Sequence, residues 1–115
     1  MPRIEQQARH ELPAVDDAAL AAARNADRLL AAARDAGLDR WVAYVAPLPD
    51  RLRDEGPAAL RATALRARAA YGPKDSIRDA LPDDVTMPFL MSIDRLLKVL
   101  ARWAAEPSGD RAPRG

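Results

Sequence analysis

Val15, Ala19, Ala22, Ala26, Leu29 and Ala33 recur at alternating spacings of four and three residues, and alanine fills most of the row. That period belongs to one face of a helix, and a row of methyl groups lets a second backbone come close. A chain carrying such a row has to bring another helix against it. Leu20 and Leu30 widen the stripe beyond a two-stranded seam, and about three heptads are too few to insist on a coiled coil, so a bundle within one chain is preferred. Alanine supplies much of the 49% hydrophobic content and aromatics only 4%, which favours closely packed helices over strands. The 115 residues fit one domain. The expected fold is therefore all-α, a compact four- to five-helix up-and-down bundle with a short helical turn before the last helix.

Local signals set the expected boundaries. Residues 1–12 lack periodicity and read as a loosely ordered arm, and residues 13–105 make the bundle. Residues 106–115, "EPSGDRAPRG", have nothing to bury and read as a disordered tail. Helix runs from about Ala14 to Ala36, stopped by Gly37. Asp39 is a good N-cap for a second segment carrying Trp41, Val42, Val45, Leu48 and Leu52, which Pro47 and Pro49 should break. Pro57 opens a helix to about Tyr71, ended by Gly72 and Pro73. Asp84 or Thr86 should cap the last helix, with Pro88 in its first turn. That helix is the most apolar segment and is expected to be central. The predicted core is Leu29, Leu30, Trp41, Val45, Leu60, Tyr71, Phe89, Ile93, Leu97 and Leu100.

Composition excludes several chemistries. The chain has no cysteine, so disulfides, thiolate zinc sites and cysteine nucleophiles are out. Its 18 Lys and Arg against 17 Asp and Glu give a net charge of +1, unlike a dedicated nucleic-acid binder. "MPRIEQQARHELP" has no apolar run of signal-peptide length, and no window suits a membrane span, so a cytoplasmic location is expected. The preference for arginine over lysine, with abundant alanine, suits a GC-rich bacterial genome.

Catalysis needs groups that exchange protons or attack near neutral pH, and the single histidine, His10, lies in the arm. Ser76, Ser92 and Ser108 have no partner histidine, and no phosphate-binding glycine loop is present. Asp16 with Asp17 and Asp83 with Asp84 point about 100° apart on a helix, so neither pair alone chelates a metal. Neither an enzymatic activity nor a cofactor or metal is expected. Arg51, Arg53, Arg61, Arg66 and Arg68 give residues 51–72 a net +3, a modest patch that makes a nucleic-acid-associated regulator one alternative function. A homo-oligomeric scaffold joined through the alanine row is another.

The remaining feature is "YGPKDSIRDALPDD", Tyr71 to Asp84, where Lys74 and Arg78 stand against Asp75, Asp79, Asp83 and Asp84. As a connector it needs only a stop at Gly72, a cap at Asp75 or Ser76, and Ile77 and Leu81 as anchors. As a surface, a short proline-bounded turn on a rigid bundle displays polar groups in fixed positions, which suits protein recognition. Tyr71, Lys74, Asp75, Arg78, Asp79, Asp83 and Asp84 are the candidate partner-binding residues. Tyr71 and Trp41 are possible aromatic anchors beside them, with core the preferred role for Trp41.

The tryptophan helix "DRWVAYV" (Asp39 to Val45), followed by an arginine-rich helix closing in "AAYGPKDSIRD" (Ala69 to Asp79), resembles small helical bacterial domains of unknown function. Their corresponding loop reads roughly Tyr-Gly-Gly-x-Gly-Ser-Leu-Asn-Asp. Tyr71, Gly72, Ser76 and Asp79 match, Pro73 and Arg78 depart, and Asp75 replaces a glycine. Such domains look like immunity partners of polymorphic or contact-dependent toxins. The resemblance implies a protein that blocks a cognate toxin, such as a nuclease, by direct binding, with no catalytic residue of its own.

Overall fold

The computed structural model describes residues 8–105, so the expected tail and the first seven residues of the arm lie outside the described residues. A 3-10 turn at Arg9–Glu11 leads into α1 (Pro13–Asp35). Then follow α2 (Asp39–Val45), α3 (Leu48–Asp54), α4 (Pro57–Ala69), α5 (Ile77–Ala80) and α6 (Asp83–Ala105). The described residues are helical with no strand, and the fold is all-α.

The alanine row does what its spacing requires. Val15, Ala19, Ala22, Ala26, Leu29 and Ala33 are all buried, joined by Ala18, Ala23 and Leu30. The helix that covers them is chiefly α6, whose buried face is Thr86, Phe89, Ile93, Leu96 and Leu100. The start of α1 meets the end of α6, where Leu12 to Val15 line a groove with Val99, Arg102 and Trp103. Further along, Asn25 donates to the Pro88 carbonyl at 3.3 Å. The two helices are therefore antiparallel. Because this row is filled within the chain, it is not free to join a second copy.

The expectation that the last helix is central needs sharing. Alpha-1 packs on α2, α3 and α6, whereas α6 packs on α1, α4 and α5. Small side chains let α1 accept neighbours on several sides, and large ones let α6 fill the space between them.

Gly37 has φ +69° and closes α1. The Leu38 N–H bonds the Ala33 carbonyl and the Gly37 N–H bonds the Arg34 carbonyl, both at 3.0 Å, which satisfies two carbonyls of the last turn. Leu38 rather than Asp39 holds the N-cap of α2, and Asp39 is the first helical residue. Its carboxylate serves the positive helix end rather than a cap bond. The break at Pro47 falls where the two prolines require it, and Trp41, Val45, Leu48 and Leu52 stay buried on both sides of it.

The last helix starts earlier than its sequence signals indicate. The Pro82 carbonyl accepts from the Val85 and Thr86 N–H groups, so Pro88 lies in the second turn, inside the helix. Two core assignments also change. Leu97 and Tyr71 are only half-buried, and Leu96 takes the inward position beside Ile93 and Leu100. The remaining core residues named from the sequence are buried.

The last residues of the expected arm are docked. Arg9 Nη1 donates to the carbonyls of Leu52 (2.6 Å) and Glu55 (3.3 Å) at the end of α3, and its Nε donates to Asp16 Oδ1 at 3.1 Å. The side chain is 9% exposed, and Nη2 lies 3.0 Å from the same carboxylate oxygen. A cation against the carbonyl end of α3 is favourable there, and Asp16 offsets its desolvation.

Candidate functional site

The Tyr71 to Pro82 connector is shaped by how α4 ends. The last turn tightens as the Tyr71 N–H bonds the Arg68 carbonyl at 3.0 Å. Gly72 does not take the left-handed conformation expected of a helix-stop glycine. That geometry falls three residues later, at Asp75, with φ +51°, the one non-glycine residue with positive φ among those described. Aspartate tolerates this region better than most residues because its short polar side chain can bond locally.

The reversal at Asp75 turns the chain back on itself. The Ile77 N–H donates to the Ala70 carbonyl at 2.9 Å and closes the neck of the loop. Ser76 caps α5, its Oγ accepting from the Arg78 N–H at 3.1 Å. Of the two sequence-level cap candidates, Ser76 is the cap and Asp75 is the hinge. Ile77 is fully buried and Leu81 nearly so, as expected of anchors.

Tyr71 ties the connector to α6. Its hydroxyl donates to the Thr86 carbonyl at 2.6 Å, and the Arg68 guanidinium lies 6.0 Å from its ring centroid. Partial burial holds the phenol pKa above its usual value, an effect that Arg68 and Arg78 oppose. Arg68 is itself fixed by Asp94 of α6, Nε to Oδ1 2.9 Å.

A surface hollow of about 310 Å³ opens beside these contacts, lined by Tyr71, Gly72, Pro73, Ser76, Arg78, Asp79 and Asp83. Four of the seven residues singled out from the sequence thus share one concave site. Lys74 and Asp75 are exposed on the same connector, and Asp84 is exposed in the first turn of α6, but none of the three lines the hollow. Arg78 and Asp83 approach to 3.6 Å across it, both well exposed, so this pair contributes little stability and is free to exchange partners. Trp41 is not part of the surface. It is 7% exposed and belongs to the core under α2.

The arginine-rich segment counted from the sequence is divided by the fold. Arg53 pairs with Asp27 of α1, and Arg68 with Asp94 of α6. Arg66 stacks on Tyr44, while Arg51 and Arg61 are exposed. A continuous phosphate-binding face is not assembled.

Among the described residues, no three His, Asp or Glu side chains come together as a metal site, and no helix is long and apolar enough to cross a membrane. His10 is exposed in the 3-10 turn, and Ser92 bonds the Phe89 carbonyl. Sequence reasoning missed Arg9 and Tyr44. Arg9 stands in an unpatterned segment with no signal of its role, whereas Tyr44, three residues after Trp41, could have been paired with it by helical spacing.

What the fold and hollow define is an all-α bundle carrying a pre-formed polar surface. No protein-family model matches the chain, and no curated protein or solved structure matches it either.

Proposed function

We propose that this chain is a non-enzymatic protein-binding module of the cytoplasm, and most concretely an immunity protein that neutralises a cognate bacterial toxin by covering it. The observation that carries this reading is the locked connector. Its backbone is closed by the Ile77 to Ala70 bond, seated by Ile77 and Leu81 and tied down by Tyr71, so its charged groups are displayed with little ordering left to pay on binding. Tyr71, Lys74, Asp75, Arg78, Asp79, Asp83 and Asp84 make the contact. The left-handed Asp75 also supports the resemblance, because a glycine at that position of the similar loops meets the same backbone demand.

The segment from Lys74 to Asp84 is net acidic, which fits a basic toxin surface such as that of a nuclease. A nucleic-acid partner is less well served, since two of the five arginines already face carboxylates of the chain itself.

The test is a growth assay in a bacterial host that expresses the product of the neighbouring gene with and without this protein. Protection that is lost on reversing Asp79, Asp83 and Asp84 to lysine, with the thermal melt unchanged, is the expected result. A harmless neighbour defeats the immunity assignment, and full protection by the triple variant defeats the acidic surface.

A further inference from the structure

Alpha-2 and the end of α4 build a second surface that the connector does not use. Trp41 and Tyr44 follow each other on one face of α2, and their rings meet edge to face, centroids 5.6 Å apart at 64°. The Arg40 guanidinium lies 4.7 Å from the Trp41 ring centroid. From α4, Arg66 covers Tyr44 at the same distance, and the Tyr44 hydroxyl fastens the two helices by donating to the Arg66 carbonyl at 2.5 Å. The result is a continuous row of Arg40, Trp41, Tyr44 and Arg66, with a cation at each end. The rings are anchored in the bundle and the guanidinium groups are exposed.

Stacking holds a guanidinium without consuming its donors, which stay in the plane of the group and point outward. Both arginines keep that capacity. Among the described residues, Arg9, Arg53, Arg68 and Arg78 each pair with a carboxylate, and Arg40 and Arg66 have none within 4 Å. Their helical neighbours three and four residues away are Ala36, Gly37, Ala43 and Tyr44 for Arg40, and Ala62, Thr63, Ala69 and Ala70 for Arg66, so neither helix supplies an acid to the row. Asp39, next to Arg40, is not within ion-pair distance either. Two pre-ordered, unneutralised forks are the geometry that takes planar anions in bidentate fashion.

We propose that this row is a docking site for a carboxylate-bearing protein segment, one rich in Asp and Glu. Nucleic acid fits it poorly. Binding to single strands relies on open aromatic faces for base stacking, and here guanidinium groups and the core cover the rings. Affinity for a phosphate backbone grows with each phosphate a cation neutralises, and the row offers only two cations.

The experiment titrates the full chain with a fluorescein-labelled hexaglutamate peptide and, in parallel, with a single-stranded oligonucleotide carrying the same charge at the same salt. Saturable peptide binding is expected, weakened about tenfold or more by the double variant Arg40→Gln and Arg66→Gln, because charge-assisted pairs are lost at both ends. The charge-matched control, Arg51→Gln with Arg61→Gln, should bind within about twofold of the parent if position rather than net charge decides. A third variant, Arg40→Lys with Arg66→Lys, keeps the charge and removes the planar fork, and should be several-fold weaker by the same logic, on the order of fivefold. Circular dichroism melts identify any variant that has lost the fold, and the lysine pair then stands in for the glutamine pair. The proposal is overturned by the absence of saturable peptide binding, by equal loss in the control, by lysine variants that bind like the parent, or by an oligonucleotide that binds as tightly as the peptide.

Discussion

The interface of α1 with α6 and the connector from Tyr71 to Pro82 solve opposite problems. In the first, a row of alanines meets Phe89, Ile93, Leu96 and Leu100, and order comes chiefly from shape over a buried apolar face, with one side-chain bond across it from Asn25 to the Pro88 carbonyl. In the second, few side chains are buried, and order comes from two anchors, one cap, one backbone bond across the neck and the Tyr71 hydroxyl bond to α6. Variation is tolerated differently in the two regions. The helix interface has no position to spare, whereas the connector is fixed at Ala70, Ile77 and Leu81 and open to change at its charged residues.

The largest effects should appear where both regions bury a large side chain. Leu96→Ala is expected to cost about 2–5 kcal/mol in denaturant unfolding, and Ile77→Ala a similar amount if the connector is anchored as deeply as the helix interface. Half-buried Leu97→Ala should cost clearly less than Leu96→Ala, and the reverse order would misplace the buried face of α6. Next comes overpacking. Ala26→Leu inserts bulk into the buried face of α1 and should cost about 1–3 kcal/mol, while the same change at exposed Ala31 should be nearly neutral.

Smaller still, Asp75→Gly should raise stability by up to about 1 kcal/mol, since glycine removes the left-handed penalty, and Asp75→Ala should not. A loss of stability on Asp75→Gly would mean that the aspartate side chain holds the turn. The least effect is in pH dependence. The folded state keeps the Tyr71 phenol protonated to higher pH than the unfolded chain does, so its contribution is complete below the unfolded value of about 10 and is lost as pH rises beyond that. In melts between neutral and strongly alkaline pH, Tyr71→Phe should flatten the alkaline fall, and an unchanged slope would remove Tyr71 from the account.

The bundle was legible because period and punctuation agreed. The row of alanines, Gly37, the Pro47 and Pro49 break and Pro57 each impose a backbone or packing demand that sequence neighbours do not override. The start of α6 was misjudged for a physical reason. The Pro82 carbonyl opens the helix and the interior tolerates Pro88, so a proline expected in the first turn lies in the second. Leu97 and Leu96 were exchanged because adjacent leucines leave the face ambiguous by one position.

In the candidate site, Ile77, Leu81 and Ser76 could be read from apolar and capping chemistry. Gly72 reads as a helix stop, but the left-handed turn lies at Asp75, because a loop can place its reversal at any of several polar residues. The pairing of Arg53 and Arg68 with Asp27 and Asp94 joins residues 26 apart. Only the packed bundle brings them together.

The connector is a pre-formed surface and not a mobile link. Amide hydrogen exchange of the free protein reads this at Ile77 and Leu81, whose N–H groups bond the Ala70 and Ile77 carbonyls at 2.9 and 3.0 Å. Protection at both amides approaching that of α6 is the predicted result. Exchange as fast as in an unstructured chain would contradict it, and with it the reading of this segment as a rigid recognition surface.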